Sequence, residues 1–188
     1  MSRIKKNTEL LKLMNDYNLF MSSKKQTMMP LVVNKEKPNH KSSLYAEQTL
    51  LSDSAFGDTI FDCEIRSMAP LNYSFQIISD KINSRVLARL DEGNGVHRNN
   101  LPHIPLAQQQ VTTPHIHKYD ASGFFIAYKS DALNAYNGKT LDIKEGLRLF
   151  CDEEKIESLN GDTIAIQVHE DGKLPLEHDK DPLNGIMF

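Results

Sequence analysis

The chain has 188 residues, two of them cysteines, and carries 22 lysines and arginines against 25 aspartates and glutamates, a formal net charge of −3. That length suits one domain whose core stands without disulfide or metal staples. The charge balance excludes a bulk pull toward nucleic acid or membrane, so any such contact needs a local basic patch.

No apolar run reaches the ~18 residues of a membrane span. The basic start, residues 1–6, leads into an apolar stretch broken by Asn7, Glu9, Lys12, Asn15 and Asp16. This predicts no signal peptide, no membrane partner and a cytoplasmic protein. Leu10, Leu11, Met14, Tyr17, Phe20 and Met21 recur at helical spacing and predict one amphipathic helix over 7–21. Residues 27–33 read as a short strand broken by Pro30, hence an edge. Residues 34–43, charged and holding Pro38, read as a loop, and 44–51 as a strand.

Strict alternation follows. Phe61, Cys63 and Ile65 alternate with Asp62, Glu64 and Arg66 in 58–68, and Leu71, Tyr73, Phe75 and Ile77 with Asn72, Ser74 and Gln76 in 71–79. In 84–91, Val86, Ala88 and Leu90 oppose Arg85, Leu87, Arg89 and Asp91. The short connections between these runs predict an antiparallel meander with one face on the core. Cys63 and Cys151 occupy apolar-periodic positions, as buried reduced thiols do, and form no zinc motif.

Residues 92–113 form a long connection with Gly93, Gly95, Pro102 and Pro105, a length that is uncommon unless functional or disordered. Residues 114–119 predict a strand with His115, His117 and Tyr119 on one face, and 124–129 another. Asp142 and Glu145 have capping-box spacing at the head of a helix over 142–156, with Ile143, Leu147, Phe150 and Cys151 as its stripe. Residues 163–169 read as a last strand with Ile164, Ile166 and Val168 inward. Residues 170–188 are a charged tail that either docks through Ile186, Met187 and Phe188 or stays free. The fold expected is a single α+β domain over 1–188: an antiparallel β-sheet meander with an N-terminal and a C-terminal helix packed on it.

Four of the seven histidines lie between residues 97 and 117. A pair of imidazoles holds a proton donor and an acceptor together near neutral pH. Arg85 and Arg89 offer fixed positive charge, Tyr119 a hydroxyl or a stacking face, and Asp91 an orienting carboxylate. These are the parts of a metal-independent ribonuclease, with one base for the 2′-hydroxyl, one acid for the leaving oxygen and cations for the phosphate. The rival chemistry is metal binding, because His-x-His puts both rings on one side of a strand and Asp91 or His97 completes three ligands. The acidic residue and glycines that frame a cupin His-x-His motif are missing. The blandest alternative is a polar strand face. His40, His103, His169 and His178 read as surface. Lys24, Lys25 and the lysines of 35–41 read as solvated clusters that could also hold an RNA backbone.

The order Leu87-Ala88-Arg89-Leu90-Asp91, Gly95-Val96-His97-Arg98-Asn99, Pro114-His115-Ile116-His117-Lys118-Tyr119 and Gly123 resembles a family of bacterial and phage proteins. Its members show a strand ending in Arg-x-Asp, a His-x-Asn-Pro-Asp-Gly turn and a His-x-His-x-Tyr strand. The likeness spans residues 45–158. Here Asn100-Leu101-Pro102 replaces the Pro-Asp-Gly turn, and the loop before His115 is longer. More remotely, the pattern is similar to TumE-like toxins of toxin–antitoxin pairs, which are thought to act on RNA. Families of this kind travel on mobile elements, and some anti-CRISPR proteins of such elements shorten guide RNA. The resemblance implies an RNA-cleaving toxin or anti-defence factor, with RNA and a host nuclease complex or cognate antitoxin as partners.

The resulting candidate set is His115, His117, His97 and Tyr119 for catalysis, Arg85, Arg89, Arg98 and Lys118 for phosphate, and Asp91 and Asn99 for orientation, with no cofactor. A protein that binds and blocks a defence nuclease without catalysis is the rival from another class, and a small histidine-rich metalloprotein the third.

Overall fold

The alternation of apolar and polar residues builds the centre of the molecule, because each strand can then bury one face and leave the other polar. The structure, a computed structural model, describes residues 6–52, 58–69, 71–82, 85–93 and 95–168, and for Lys41, Met68, Ile82 and Arg85 the backbone alone. The tail of residues 170–188, with His178, and His169 lie outside the described residues.

Two short helices, α1 (Thr8–Lys12) and α2 (Met14–Ser22), precede β1 (Lys25–Thr27), β2 (Leu31–Val33), β3 (Lys35–Lys37) and β4 (His40–Ser52). The meander strands β5 (Thr59–Ile65), β6 (Tyr73–Ser79) and β7 (Arg85–Asp91) follow. Next come β8 (Val96–Arg98), β9 (Gln110–Thr112), β10 (His115–Tyr119), β11 (Phe125–Tyr128) and α3 (Asp131–Asn134). The last described elements are α4 (Ile143–Glu154), β12 (Ile156–Ser158) and β13 (Ile166–Val168).

Nine strands form one curled sheet in the order β11-β10-β7-β6-β5-β4-β1-β12, with β3 also paired to β4. Strands β4 to β7 pair antiparallel in sequence order, as the alternation predicts. The fold is α+β. Phe61, Cys63, Phe75, Ile77, Leu90 and Ile116 point to the inner face and are fully buried. Helix α4 lies against them, with the Phe150 ring stacked on Phe61 and Phe75 at 5.9 and 6.1 Å. Both cysteines are free and buried in this core. A Cβ on Gly146 would fall on the Tyr73 hydroxyl, which donates to the carbonyls of Leu141 and Asp142 at 3.1 Å, so only glycine lets α4 come this close. Among the described residues no helix is long and apolar enough to cross a membrane.

Several elements differ from the sequence expectation. The first helix is two, joined at Leu13, whose N–H bonds the Leu10 carbonyl three residues back. The expected strand over 27–33 is split into β1 and β2. The charged stretch expected to be loop forms the β3–β4 hairpin, because an edge strand tolerates charge that a central one does not. Asp142 caps the N–H groups of Lys144 and Glu145, but Glu145 turns outward to Arg148 and Tyr136 instead of reaching back. Residues 163–165 stay outside the last strand, and β12 and β13 pair parallel with β1 and β2.

Lys25, expected to be solvated, is fully buried, and its ammonium donates to the carbonyls of Phe20 and Ser23 at 2.8 and 2.9 Å. It thereby satisfies the end of α2. Near it, fully buried Glu154 pairs with Lys118 at 3.0 Å. Burial pushes the Glu154 carboxyl up to about 7, against the Lys118 charge that pulls it down. A folded pKa above the unfolded 4.5 means the native state binds the extra proton, so this group's contribution is full below pH 4.5 and is lost as pH rises to 7. The loss is on the order of 3 kcal/mol. Denaturant melts of Glu154→Gln should lack that fall between pH 5 and 7. The same slope in wild type and variant would show that another group carries it.

Candidate functional site

Register, not sequence proximity, assembles the site. Strands β7 and β10 pair antiparallel with His115 opposite Asp91 and His117 opposite Arg89, so all four side chains share the outer face of the sheet. Nε2 of His115 lies 2.9 Å from Nε2 of His117. Oδ2 of Asp91 lies 3.2 Å from the His117 nitrogen and 3.8 Å from that of His115. The same carboxylate accepts from Arg89 Nε at 2.8 Å and from Arg66 Nη2 at 3.1 Å. Arg66 enters from the 3-10 turn after β5 and also donates to the Ser74 hydroxyl.

The third imidazole arrives on an arm. Within the expected long connection, β8 and β9 form a two-stranded ribbon with His97 opposite Val111. Asn99 docks the arm on the sheet edge. Its amide donates to the Ala127 carbonyl at 2.9 Å and accepts from the Ala127 N–H at 2.7 Å, as a peptide group of an added strand would. Gln109 does the same inside the arm, bonding both the N–H and the carbonyl of Leu101. The His97 ring therefore meets His117 edge-on at 4.6 Å and His115 at 5.7 Å. One ligand nitrogen from each of the three rings lies within 4.8 Å of the others.

The two strand histidines are not the solvated polar face of the blandest alternative. His115 and His117 are 4% and 1% exposed, because the arm covers them and Phe125 stacks on His117. Burial, then the neighbouring His117, lowers His115 to about 4, and burial likewise lowers His97. Burial alone would raise Asp91, but the His117 hydrogen bond and the Arg89 and Arg66 charges hold it well below the usual carboxylate range. His115 Nδ1 lies 3.4 Å from the Thr112 carbonyl, which can only accept, so in the neutral ring Nε2 is the bare nitrogen. His117 Nδ1 is buried without a hydrogen-bond partner.

Other expected members lie elsewhere. Lys118 points to the inner face and pairs with Glu153 and Glu154, because alternation sends it opposite to its histidine neighbours. Arg98 alternates with His97 on the arm and lines a separate surface hollow with Val96, Asn100 and Gln110. The Tyr119 ring packs on Phe125 and Tyr17, its hydroxyl accepts from Asn7, and it stands apart from the imidazoles. Arg85 belongs to β7, and its side chain lies outside the described residues. Lys37 is tied to Glu64, and Lys35 lies over the Tyr45 ring. Arg66 and Gln109 were absent from the candidates. Arg66 could have been found from its alternation with Glu64, which puts it on the same face as Arg89.

Asn99→Ala removes both peptide-like bonds, a change worth about 1–3 kcal/mol where the partner groups stay buried. Hydrogen exchange should then speed up at the Ala127 amide and through the arm, while β5 to β7 keep their protection. Unchanged Ala127 protection would mean that the arm is held by something else. No family model, curated protein or solved structure matches this chain.

Proposed function

We propose that the protein binds one divalent transition-metal ion through His97, His115 and His117, with Asp91 as the facing carboxylate, and acts through that ion. The observation that carries this is the convergence of three imidazole nitrogens within 4.8 Å. Nitrogens bound at 2.0–2.1 Å to one ion are separated by about 3.0–3.4 Å, so the 2.9 Å pair of His115 and His117 is already spaced for it. His97 needs a shift of about 1.4–1.8 Å, within reach of an arm on a two-stranded ribbon. The His115–Thr112 contact is the outer bond that ligating histidines ordinarily make. An all-imidazole set suits zinc, copper, nickel or iron rather than calcium or magnesium. When bound, such an ion supplies Lewis acidity and an activated water. The chain's own part is to hold three rings in fixed directions and to neutralise charge with Asp91.

One contact favours a second reading, metal-free RNA cleavage by a toxin-like or anti-defence factor. Asp91 and His117 form an acid–imidazole pair at 3.2 Å, with Arg89 alongside to meet a phosphate. The 2.9 Å contact between His115 and His117 weighs against it, because an acid and a base that touch leave no room for a phosphate between them.

The test is titration of chelator-stripped protein with zinc or cobalt(II), followed by calorimetry and visible absorbance. Uptake of one equivalent is expected. His115→Ala and His117→Ala should each lower affinity more than the 10–100-fold typical of an outer partner, while circular dichroism stays native. No uptake, together with cleavage of oligoribonucleotides in EDTA to a 2′,3′-cyclic phosphate that His117→Ala abolishes, would replace the metal reading with the second.

A further inference from the structure

We infer that the histidine centre takes a small oxyanion, the carboxylate or phosphate end of a small molecule, held between the ion and the Arg89 guanidinium. This rests on the metal reading above and names its ligand.

Charge is the first argument. An ion of charge two would join Arg66 and Arg89, which lie 3.1 and 2.8 Å from Asp91, the one carboxylate that contacts both arginines among the described residues. Neutral imidazoles add nothing, so the sum is two plus two minus one, three positive charges in a partly buried site. Such a surplus is costly away from water unless an anion joins it.

Geometry is the second. Arg89 Nη2 lies 3.5 Å from His117 Nε2, the atom that faces the ion, so an oxygen on the ion is within hydrogen-bond reach of that guanidinium. The side chains of Arg66 and Arg89 remain 37% and 31% exposed despite their bonds to Asp91, so a ligand can reach them.

Space is the third. A cavity of about 360 Å³ opens beside Asp91, lined by Arg66, Asn72, Glu92, Gly93, Gly95 and Thr113; it reaches the centre through Arg66 and Asp91, and the imidazoles and Arg89 do not line it. At about 30 Å³ per water, it has room for the body of a small molecule whose anionic end lies at the arginines.

The neighbouring surface limits the ligand further. Along the outer face, Glu47, Asp62, Gln76, Arg89 and His117 stand directly opposite one another on successive strands. In the next row Glu64 leads through Ser74 to Asp91 and His115. The arginines thus stand at the histidine end and the carboxylates of Glu47 and Asp62 at the other, with Glu64 paired to Lys37. A polyanion laid across the sheet would meet those carboxylates, whereas a small anion meets only the arginine end.

The experiment uses the cobalt(II)-loaded full chain, titrated with acetate, with inorganic phosphate and with a single-stranded oligoribonucleotide, following the visible spectrum and the metal retained. Saturable spectral change with acetate or phosphate is expected, and the tighter of the two names the end group. Arg89→Gln should weaken that anion at least about tenfold beyond any change in cobalt affinity, which is measured on the same variant. Arg66→Gln, and Arg89→Lys with its charge kept and its fork lost, serve if Arg89→Gln does not fold, and should weaken it in the same direction. A loaded centre blind to both small anions, or equally responsive in the arginine variants, overturns the inference and leaves the metal centre standing. Tighter binding of the oligoribonucleotide than of phosphate overturns the small-ligand part. Failure to take up cobalt removes both readings at once.

Discussion

One carboxylate organises the outer face of this protein. Asp91 ends β7 and receives Arg89 from its own strand, Arg66 from the turn after β5 and His117 from β10. A carboxylate this poorly hydrated is stable only when paired, and each partner is oriented by the same requirement. The guanidinium planes, the His117 ring and, through the 2.9 Å contact, the His115 ring thus take their directions from one side chain. Removing Asp91 would leave two guanidinium groups and an imidazole packed together without a counter-charge. That costs far more than the loss of one hydrogen bond.

The arm over residues 95–113 converts a polar strand face into an enclosed centre. Without it, His115 and His117 would be the solvated histidines that a His-x-His strand usually shows. With it they lose water, and burial keeps His115 and His97 neutral with lone pairs available at neutral pH. The means of attachment is economical: Asn99 satisfies the edge of β11 as another strand would, and this places His97 over the other two rings.

How much of this is readable from sequence follows from the range of the interactions. The meander, the inner face and the shared face of His115, His117, Arg89 and Asp91 rest on period-two alternation and short turns, which are local and therefore visible. Helix α4 is visible for the same reason, through its stripe and its Asp142 cap. Strands β2 and β13 fall within the stretches 27–33 and 163–169 that the sequence marks as strand, whereas β1 and β12 are too short to show a period and exist because distant segments pair in parallel. The arm is illegible on other grounds. Asn99 and Gln109 imitate peptide groups there, and no residue pattern distinguishes such an amide from a solvated one. The burial and mutual contact of the histidines depend on that arm, so they were hidden with it.

Strand β10 shows how far neighbouring residues can differ in role. Its alternation gives His115 and His117 to the outer face, and Ile116 and Lys118 to the inner one. The inner lysine meets Glu153 and Glu154, and buried Lys25 lies close enough to Glu154 to influence its charge. Two charged clusters therefore stand back to back across a single sheet. The outer one is held by rigid guanidinium forks around a carboxylate that stays ionised. The inner one uses flexible ammonium groups and a carboxyl raised toward neutrality. The first arrangement fixes directions, as a site that must present atoms to a ligand requires. The second satisfies groups that the core could not otherwise bury, and gives them no common point of convergence. That difference, more than the histidine count, is why the outer face is the place to look for chemistry.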